Sequence, residues 1–205
     1  EITAEDGTLL YGWHRRANGD RAVLYLHGNA EAVNSSIALQ RQVAGEGWDI
    51  LVIAYRGYPG SDGHPSEEGV AMDARAAWLW LTEDRHIDPA NIVIHGRSLG
   101  GAVGARLATE VDCGGLVLES SFTSALELAR TVVPSIYPIE RLLRYPFLTD
   151  LRAGAIRCPV LILHSQGDSV IPVSHGRSLA ALIGGSEYVE LAGLGHEYSL
   201  VVHSP

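Results

Sequence analysis

The sequence predicts an α/β fold in which a mostly parallel sheet is flanked by helices. Short runs rich in Val, Ile and Leu alternate with longer segments of helical periodicity. Strands that are buried on both faces and joined by helical crossovers produce this alternation. The chain has 205 residues, of which 46% are hydrophobic. This length and composition suit one domain with its own core, and we expect a single domain over residues 1–205.

The predicted strands and helices follow one another along the chain. Strands are expected at residues 9–13, 22–27, 49–55, 92–95, 116–119, 160–164 and 188–191, and helices at 34–45, 66–83, 99–110, 125–133 and 173–183. The first two strands are close enough in sequence to form an antiparallel hairpin. The helix over 66–83 is the best marked, because Ser66 is a favoured N-cap and Glu67 and Glu68 suit the positive end of a helix.

The segment from residue 120 to 158 is the one long irregular stretch. Pro134, Pro138 and Pro146 break any long helix within it, so we expect a small cap rather than a full lid domain. Its apolar residues have two interpretations that remain open, lining of a pocket or simple packing. These residues are Leu142, Leu143, Tyr145 and Phe147.

Charge and composition exclude several classes of function. The net charge of −9 disfavours nucleic acid and anionic membrane surfaces as partners. All fifteen basic residues are Arg, so neither a Walker phosphate loop nor a lysine Schiff base is possible. No apolar run approaches the roughly 18–20 residues of a membrane-spanning helix. A cytoplasmic location is favoured, with a removed leader or anchor as the alternative.

Cys113 and Cys158 form no CxxC pair, and we expect neither a metal site nor a cofactor. Each precedes a predicted strand, so the two thiols would be close enough to bridge if those strands are neighbours. Two reduced, packing cysteines are the favoured interpretation, because cysteine is scarce in the chain.

The strongest motif is Gly96-Arg97-Ser98-Leu99-Gly100, which follows a buried strand and opens a helix. A strand that turns sharply into a helix holds its central serine in a strained conformation with the hydroxyl exposed. Side chains two residues before and after the serine would collide in that turn, hence the two glycines. Ser98 is therefore the candidate nucleophile.

A serine hydroxyl needs a base, and the base needs an orienting acid. Asp168 follows the strand at 160–164, and His196 follows the strand at 188–191, so both join Ser98 at the carboxyl edge of a parallel sheet. Glu119 also ends a strand and is the alternative acid. Each of the other histidines that were weighed has a less suitable position, on a helix, at a strand end or near the terminus. These are His27, His95, His164, His175 and His203.

His27-Gly28-Asn29-Ala30 follows the strand residues Ala22–Leu26. Gly28 allows the backbone to approach a substrate closely, and the N–H of Asn29 pairs with that of Leu99 as an oxyanion hole. For His27 a structural hydrogen bond that shapes the loop is preferred to a catalytic role.

These motifs, together with Tyr55-Arg56-Gly57-Tyr58, resemble the BEM46-like group of α/β-hydrolases, over residues 7 to 200. The resemblance implies an eight-stranded, mostly parallel sheet flanked by helices, with the small cap between strands 6 and 7. It implies the triad Ser98, Asp168 and His196, with Asn29 and Leu99 as the oxyanion residues.

The expected reaction is hydrolysis of a small-molecule or lipid-like ester or thioester through an acyl-enzyme. Activity is expected to fall below roughly pH 6.5, where a histidine base becomes protonated. Two alternatives remain open: a serine peptidase or amidase, and a non-catalytic binding protein on the same fold.

Overall fold

The computed structural model describes residues 1–17, 19–29, 31–133 and 137–196, with backbone alone at 132 and 141. The strands in this part of the chain are β1 (Ile2–Thr3), β2 (Leu9–Leu10), β3 (Gly12–Arg15), β4 (Ala22–Leu26), β5 (Asp49–Ile53), β6 (Ile92–Arg97), β7 (Gly115–Glu119), β8 (Val160–Ser165) and β9 (Glu187–Leu191). A seven-stranded sheet has the order β3-β5-β4-β6-β7-β8-β9, and β1 and β2 form a separate two-stranded sheet. Within the described seven-stranded sheet, β3 alone is antiparallel to its neighbour, which confirms the mostly parallel sheet.

Two details of the sheet differ from the prediction. In the described residues the sheet has seven strands rather than eight, and the cap lies between its fifth and sixth strands in chain order. The hairpin expected between 9–13 and 22–27 was wrong: the first run is divided, with β2 pairing with β1 and β3 with β5. The second run, β4, lies parallel between β5 and β6. Because β4 is almost wholly buried, both its edges need partners inside the sheet, and nearness in sequence does not decide which.

The helices are α1 (Ile37–Gly45), α2 (Glu67–Leu79), α3 (Leu99–Glu110), α4 (Ala125–Val132), α5 (Ile139–Leu142), α6 (Thr149–Arg152) and α7 (Ser174–Leu182). The predicted helices correspond to α1, α2, α3, α4 and α7; a 3-10 turn precedes α1 and a π-helical turn extends α2. The Oγ of Ser66 accepts the N–H of Gly69 at 3.0 Å, which confirms Ser66 as the N-cap of α2. No helix within the described ranges is long and apolar enough to cross a membrane.

The core lies on both faces of the sheet. On one face, α1 packs through Leu39 and Val43 against Tyr25 and Val52. The other face carries the larger cluster, in which α2 and α3 cover β4, β6 and β7. Because helices cover both faces, functional groups can assemble only where the strands end. The loops at the carboxyl ends of the strands provide that place.

The cap, residues 120–158 apart from the undescribed 134–136, joins β7 to β8 and contains α4, α5 and α6. Helix α4 begins at Ser124, whose Oγ accepts the N–H of Glu127 at 3.1 Å. Pro138 precedes the single turn of α5, and Pro146 separates α5 from α6, as the proline pattern predicted. Pro134 and His203 lie outside the described residues.

Cys113 and Cys158 precede the neighbouring strands β7 and β8, and both are free thiols. The two side chains lie within hydrogen-bonding reach, and this contact together with burial raises the pKa of the Cys113 thiol. Both cysteines also pack against the larger core cluster. The structure thus brings the thiols together in the reduced form.

Candidate active site

Ser98 lies at the sharp turn between β6 and α3, with a φ of 53° and a ψ of −117°. Positive φ is rare for a residue other than glycine, and it recurs where a turn presents a functional side chain. The N–H of Ser98 donates to the carbonyl of Glu119 at 2.8 Å, and the Ser98 carbonyl accepts the N–H of Gly101 at 3.0 Å. These bonds hold the serine at the carboxyl end of β6.

The two glycines that flank Ser98 leave no room for a side chain. A Cβ at Gly96 would overlap the backbone of Gly100, and a Cβ at Gly100 would overlap the carbonyls of Leu26 and His27. Leu26 ends β4, so the first turn of α3 packs directly on the neighbouring strand. The collision that the sequence predicted for these positions is confirmed.

The loop that follows β4 runs alongside residues 96–100, which we call the nucleophile turn after the role predicted for Ser98. A Cβ on Gly28 would lie only 3.3 Å from the Cβ of Ser98, so glycine permits this approach. Asn29 borders the same cavity as Ser98 and Leu99, and its Oδ1 accepts a hydrogen bond from the hydroxyl of Tyr58 at 2.7 Å. The structure therefore brings both predicted oxyanion residues to the cavity that contains Ser98.

His27 belongs to this loop but is buried beneath it. Its Nδ1 lies 2.7 Å from the carbonyl oxygen of Gly28, and its ring is 4.3 Å from that of Tyr55 and 5.1 Å from that of Tyr58. Burial lowers the pKa of His27. A neutral imidazole packed among aromatic rings is consistent with a role in shaping the loop.

Asp168 and His196 meet where β8 and β9 end. The Nδ1 of His196 is 2.7 Å from Oδ2 of Asp168, and Oδ1 of Asp168 accepts the N–H groups of Val170 and Ile171 at 2.9 and 2.8 Å. Burial alone raises the pKa of Asp168, but the bond to His196 and these two amides outweigh it and lower that pKa. The carboxylate is thus ionised and aimed at the imidazole.

A second histidine lies behind Asp168, and the sequence did not indicate this contact. His164 is fully buried, with Nε2 2.8 Å from the Ile171 carbonyl and 3.6 Å from Oδ2 of Asp168. Burial lowers the pKa of His164, which keeps its ring neutral. Its position at the end of β8, four residues before Asp168, is the only signal that the sequence offered.

The alternative acid, Glu119, is engaged elsewhere. Its Oε2 lies 2.7 Å from Nε2 of His95, and its Oε1 is 3.7 Å from Nε of Arg97. The geometry therefore favours Asp168 over Glu119 as the partner of His196. His175 is likewise committed, since its Nδ1 is 3.0 Å from the hydroxyl of Thr123.

A cavity of about 520 Å³ opens beside Ser98 and is lined mainly by apolar side chains. Leu143, Tyr145 and Phe147 of the cap line it, whereas Leu142 is 70% exposed and does not. The other residues that line the cavity were not predicted from the sequence, because they come from several separate elements and share no local pattern. They include Tyr58, Val70, Phe122, Leu128, Arg144, Val170 and Ile171. Within the described ranges, no group of three or more His, Cys, Asp or Glu side chains is arranged to hold a metal ion.

The fold and this cavity define an α/β protein with a ligand-sized site where its parallel strands end. A family model described as the alpha/beta hydrolase fold matches residues 21–138, more than half of the chain. The chain therefore belongs to the α/β-hydrolase family.

Relatives extend this comparison along nearly the whole chain. An uncharacterised protein of Mycobacterium tuberculosis is 37% identical over 199 residues, which cover 95% of this chain and 70% of that protein. The lysophosphatidylserine lipase ABHD12 of Danio rerio is 28% identical over 228 residues, covering 94% of this chain and 58% of the lipase. The solved esterase Pf2001 of Pyrococcus furiosus matches with a TM-score of 0.80 over 96% of this chain and 80% of its own. At 20% identity the last match shows a shared fold alone.

Proposed function

We propose that the protein is a serine hydrolase that cleaves carboxylic esters or thioesters through an acyl-enzyme. One observation supports this proposal: Asp168 and His196 are in contact at 2.7 Å, and they follow the carboxyl ends of strands at the same end of the sheet as Ser98. The backbone of Ser98 has a strained, positive φ. A protein that only binds a ligand has no need to combine an ionised, buried carboxylate with an imidazole at this place.

In the proposed acylation step, His196 takes the proton of the Ser98 hydroxyl while the oxygen attacks the ester carbonyl carbon. Asp168 accepts a hydrogen bond from the Nδ1–H of His196, so the unprotonated Nε2 is the nitrogen that acts as base. The same carboxylate then stabilises the imidazolium. The leaving alcohol or thiol departs with the proton that His196 carried, and the acyl group stays on Ser98.

The negative charge that develops on the carbonyl oxygen is assigned to the backbone N–H groups of Asn29 and Leu99. Leu99 is the first residue of α3, where unpaired amides and the helix dipole favour an anion. Removal of one such donor typically costs about 3–4 kcal/mol of transition-state stabilisation. In the second step a water molecule, deprotonated by His196, attacks the acyl-enzyme and releases the acid.

The apolar cavity supports an acyl chain as the group bound beside Ser98. Its volume of about 520 Å³ matches a small-molecule site, and cap residues close one side of it. The name of the lysophosphatidylserine lipase from Danio rerio favours a lipid-like ester among the candidates. We therefore propose a small-molecule or lipid-like ester as substrate, with no cofactor.

Hydrolysis of p-nitrophenyl esters with acyl chains from acetate to palmitate tests the proposal. We expect turnover in the wild-type protein and its loss in Ser98→Ala, because alanine removes the attacking oxygen. The matched control is Ser178→Ala, which changes an exposed serine on α7 and should leave turnover unchanged.

An active-site phosphonate separates the remaining interpretations. Stoichiometric labelling at Ser98 without ester turnover would redirect the proposal to amides or peptides. Absence of both labelling and turnover would contradict it and favour a binding protein, and equal turnover in Ser98→Ala would exclude Ser98 as the nucleophile.

A further inference from the structure

Arg97 precedes Ser98 in the nucleophile turn, yet only 7% of its surface is exposed. An arginine is rarely buried to this extent unless its charge is paired. Arg97 is also not among the residues that line the cavity beside Ser98, so contact with a substrate in that cavity does not explain it. The proposed mechanism assigns it no role.

The guanidinium of Arg97 meets three separate parts of the chain. One terminal nitrogen forms an ion pair with Glu31, and the other donates a hydrogen bond to the backbone carbonyl of His196. Its Nε is 3.7 Å from Oε1 of Glu119, which also pairs with His95. Two buried or half-buried carboxylates thus surround one guanidinium.

Two of these contacts lead directly to the reacting groups. Glu31 follows Asn29 by two residues, and its carboxylate lies over the loop, since a Cβ on Gly28 would come within 2.7 Å of Oε1. The carbonyl that accepts from Arg97 belongs to the base itself. Arg97 therefore connects the oxyanion loop, residues 27–29 and 31, to the base loop, residues 192–196.

Only arginine has the shape for this connection. Its planar guanidinium presents several N–H groups at fixed angles, so that one side chain can hold a carboxylate and a carbonyl at the same time. The ammonium of a lysine is a compact charge at the end of a flexible chain and does not hold two partners in one plane.

We propose that Arg97 is a positioning residue, which holds the oxyanion loop and His196 in register with Ser98 by binding Glu31 and the His196 carbonyl together. The inference rests on the proposed function, because it assigns the two loops their roles. Arg97 does not touch the substrate, so it acts on the rate of the chemical steps and leaves substrate binding unchanged.

Steady-state kinetics of Arg97→Gln, Arg97→Lys and Glu31→Gln tests this role. We expect kcat to fall about 10- to 100-fold in each, since displacement of a catalytic group by about 1 Å has an effect of this size. KM should stay within about threefold of wild type. The double variant Arg97→Gln/Glu31→Gln should be about as slow as Arg97→Gln alone, because the contact that Glu31→Gln removes is already absent there. Arg177→Gln, which removes an exposed ion pair with Glu190, is the matched control.

Rescue by added guanidinium distinguishes positioning from a general structural effect. In Arg97→Ala, millimolar guanidinium should restore part of the lost kcat, whereas the same concentration of sodium chloride should not. Wild-type kcat should not rise under either condition. A variant that had simply lost stability would be weakened further by guanidinium, so the two explanations predict opposite responses.

Phosphonate labelling of the wild type separates failure of this inference from failure of the proposed function. If wild-type Ser98 is neither labelled nor active on esters, the proposed function fails. If the wild type is labelled and active but the Arg97 and Glu31 variants retain wild-type kcat, the positioning role is overturned. A loss of kcat that follows only the loss of folded protein, without guanidinium rescue, overturns it too, and Glu31→Gln decides the matter if the Arg97 variants do not fold.

Discussion

The nucleophile turn and the cap form two sides of the same cavity, and they are built in different ways. Around Ser98 the backbone of α3 touches the backbone of β4, and the glycines there leave no space for a single added carbon. The cap contains the one-turn helices α5 and α6, and it exposes Leu142 and Leu151 at 70% and 76%. Backbone contact thus fixes the position of Ser98, while side chains of the cap line the cavity beside it.

The largest effect is expected from a single methyl group in the nucleophile turn. Gly100→Ala would place a Cβ against the carbonyls of Leu26 and His27, and we expect a loss of more than about 4 kcal/mol in the free energy of unfolding. In the cap, a Cβ on Gly154 meets no atom within 4 Å, so Gly154→Ala should change stability by less than about 1 kcal/mol. Urea denaturation measures both, and similar losses would erase the distinction between the two regions.

The second-largest effect is a loss of kcat when the contact between Asp168 and His196 is changed. Asp168→Asn is expected to lower kcat by roughly 10³- to 10⁴-fold, because an amide at this position no longer holds the reactive tautomer of His196. The chain offers a matched control in Asp49, whose Oδ2 lies 2.8 Å from Nε2 of His14 at the opposite edge of the sheet. Asp49→Asn breaks a similar pair and should leave kcat unchanged. Equal losses of kcat in the two variants would mean that the effect is one of stability.

A change in the cap should alter selectivity rather than rate. Leu143 lines the cavity, so Leu143→Ala enlarges it and should shift the ratio of kcat/KM for long against short acyl esters by roughly tenfold towards the long chains. Leu142→Ala, next to it but exposed, serves as the control and should keep the wild-type ratio. An unchanged ratio in Leu143→Ala would show that the acyl group binds elsewhere.

The smallest effect is a dependence of stability on pH. Burial lowers the pKa of His164 and of His175 below the usual value for a histidine, so both rings stay neutral in the native state at a pH where the unfolded chain binds protons. Stability is therefore full above about pH 6.5 and falls below it, by at most about 1.4 kcal/mol per pH unit for each histidine. His175→Asn, whose amide oxygen replaces Nδ1 as the partner of Thr123, should flatten the fall in melting temperature between pH 7 and 5. A parallel fall would assign the effect to other groups.

Features that depend on a local sequence pattern could be predicted from the sequence. The start of α2 followed from the cap at Ser66, and the glycines around Ser98 followed from the sterics of one turn. The meeting of Asp168 with His196 was also predictable, because the carboxyl ends of parallel strands converge at one edge.

Features that join distant parts of the chain were not predictable in this way. The division of the run at residues 9–13 depends on which edge of β5 is free, and that is a property of the whole sheet. The contacts of Arg97 with Glu31 and His196 span 66 and 99 residues, so no local periodicity indicates them. The place of His164 behind Asp168 likewise depends on how the loop after β8 folds back.

The pairing of β4 with β6 has a consequence for how the protein is made. Ala22 lies opposite Ile92, the largest separation in sequence between neighbouring strands of the described sheet. Pairs of this kind form late in folding, because a long loop must close before any contact offsets its entropy. During synthesis, β4 emerges before both of its partners, β5 and β6, and one of its edges stays unpaired until β6 follows, which exposes the nascent chain to aggregation. The loop at residues 27–29 and Ser98 directly follow these two strands, so they come together only when this long-range pairing forms.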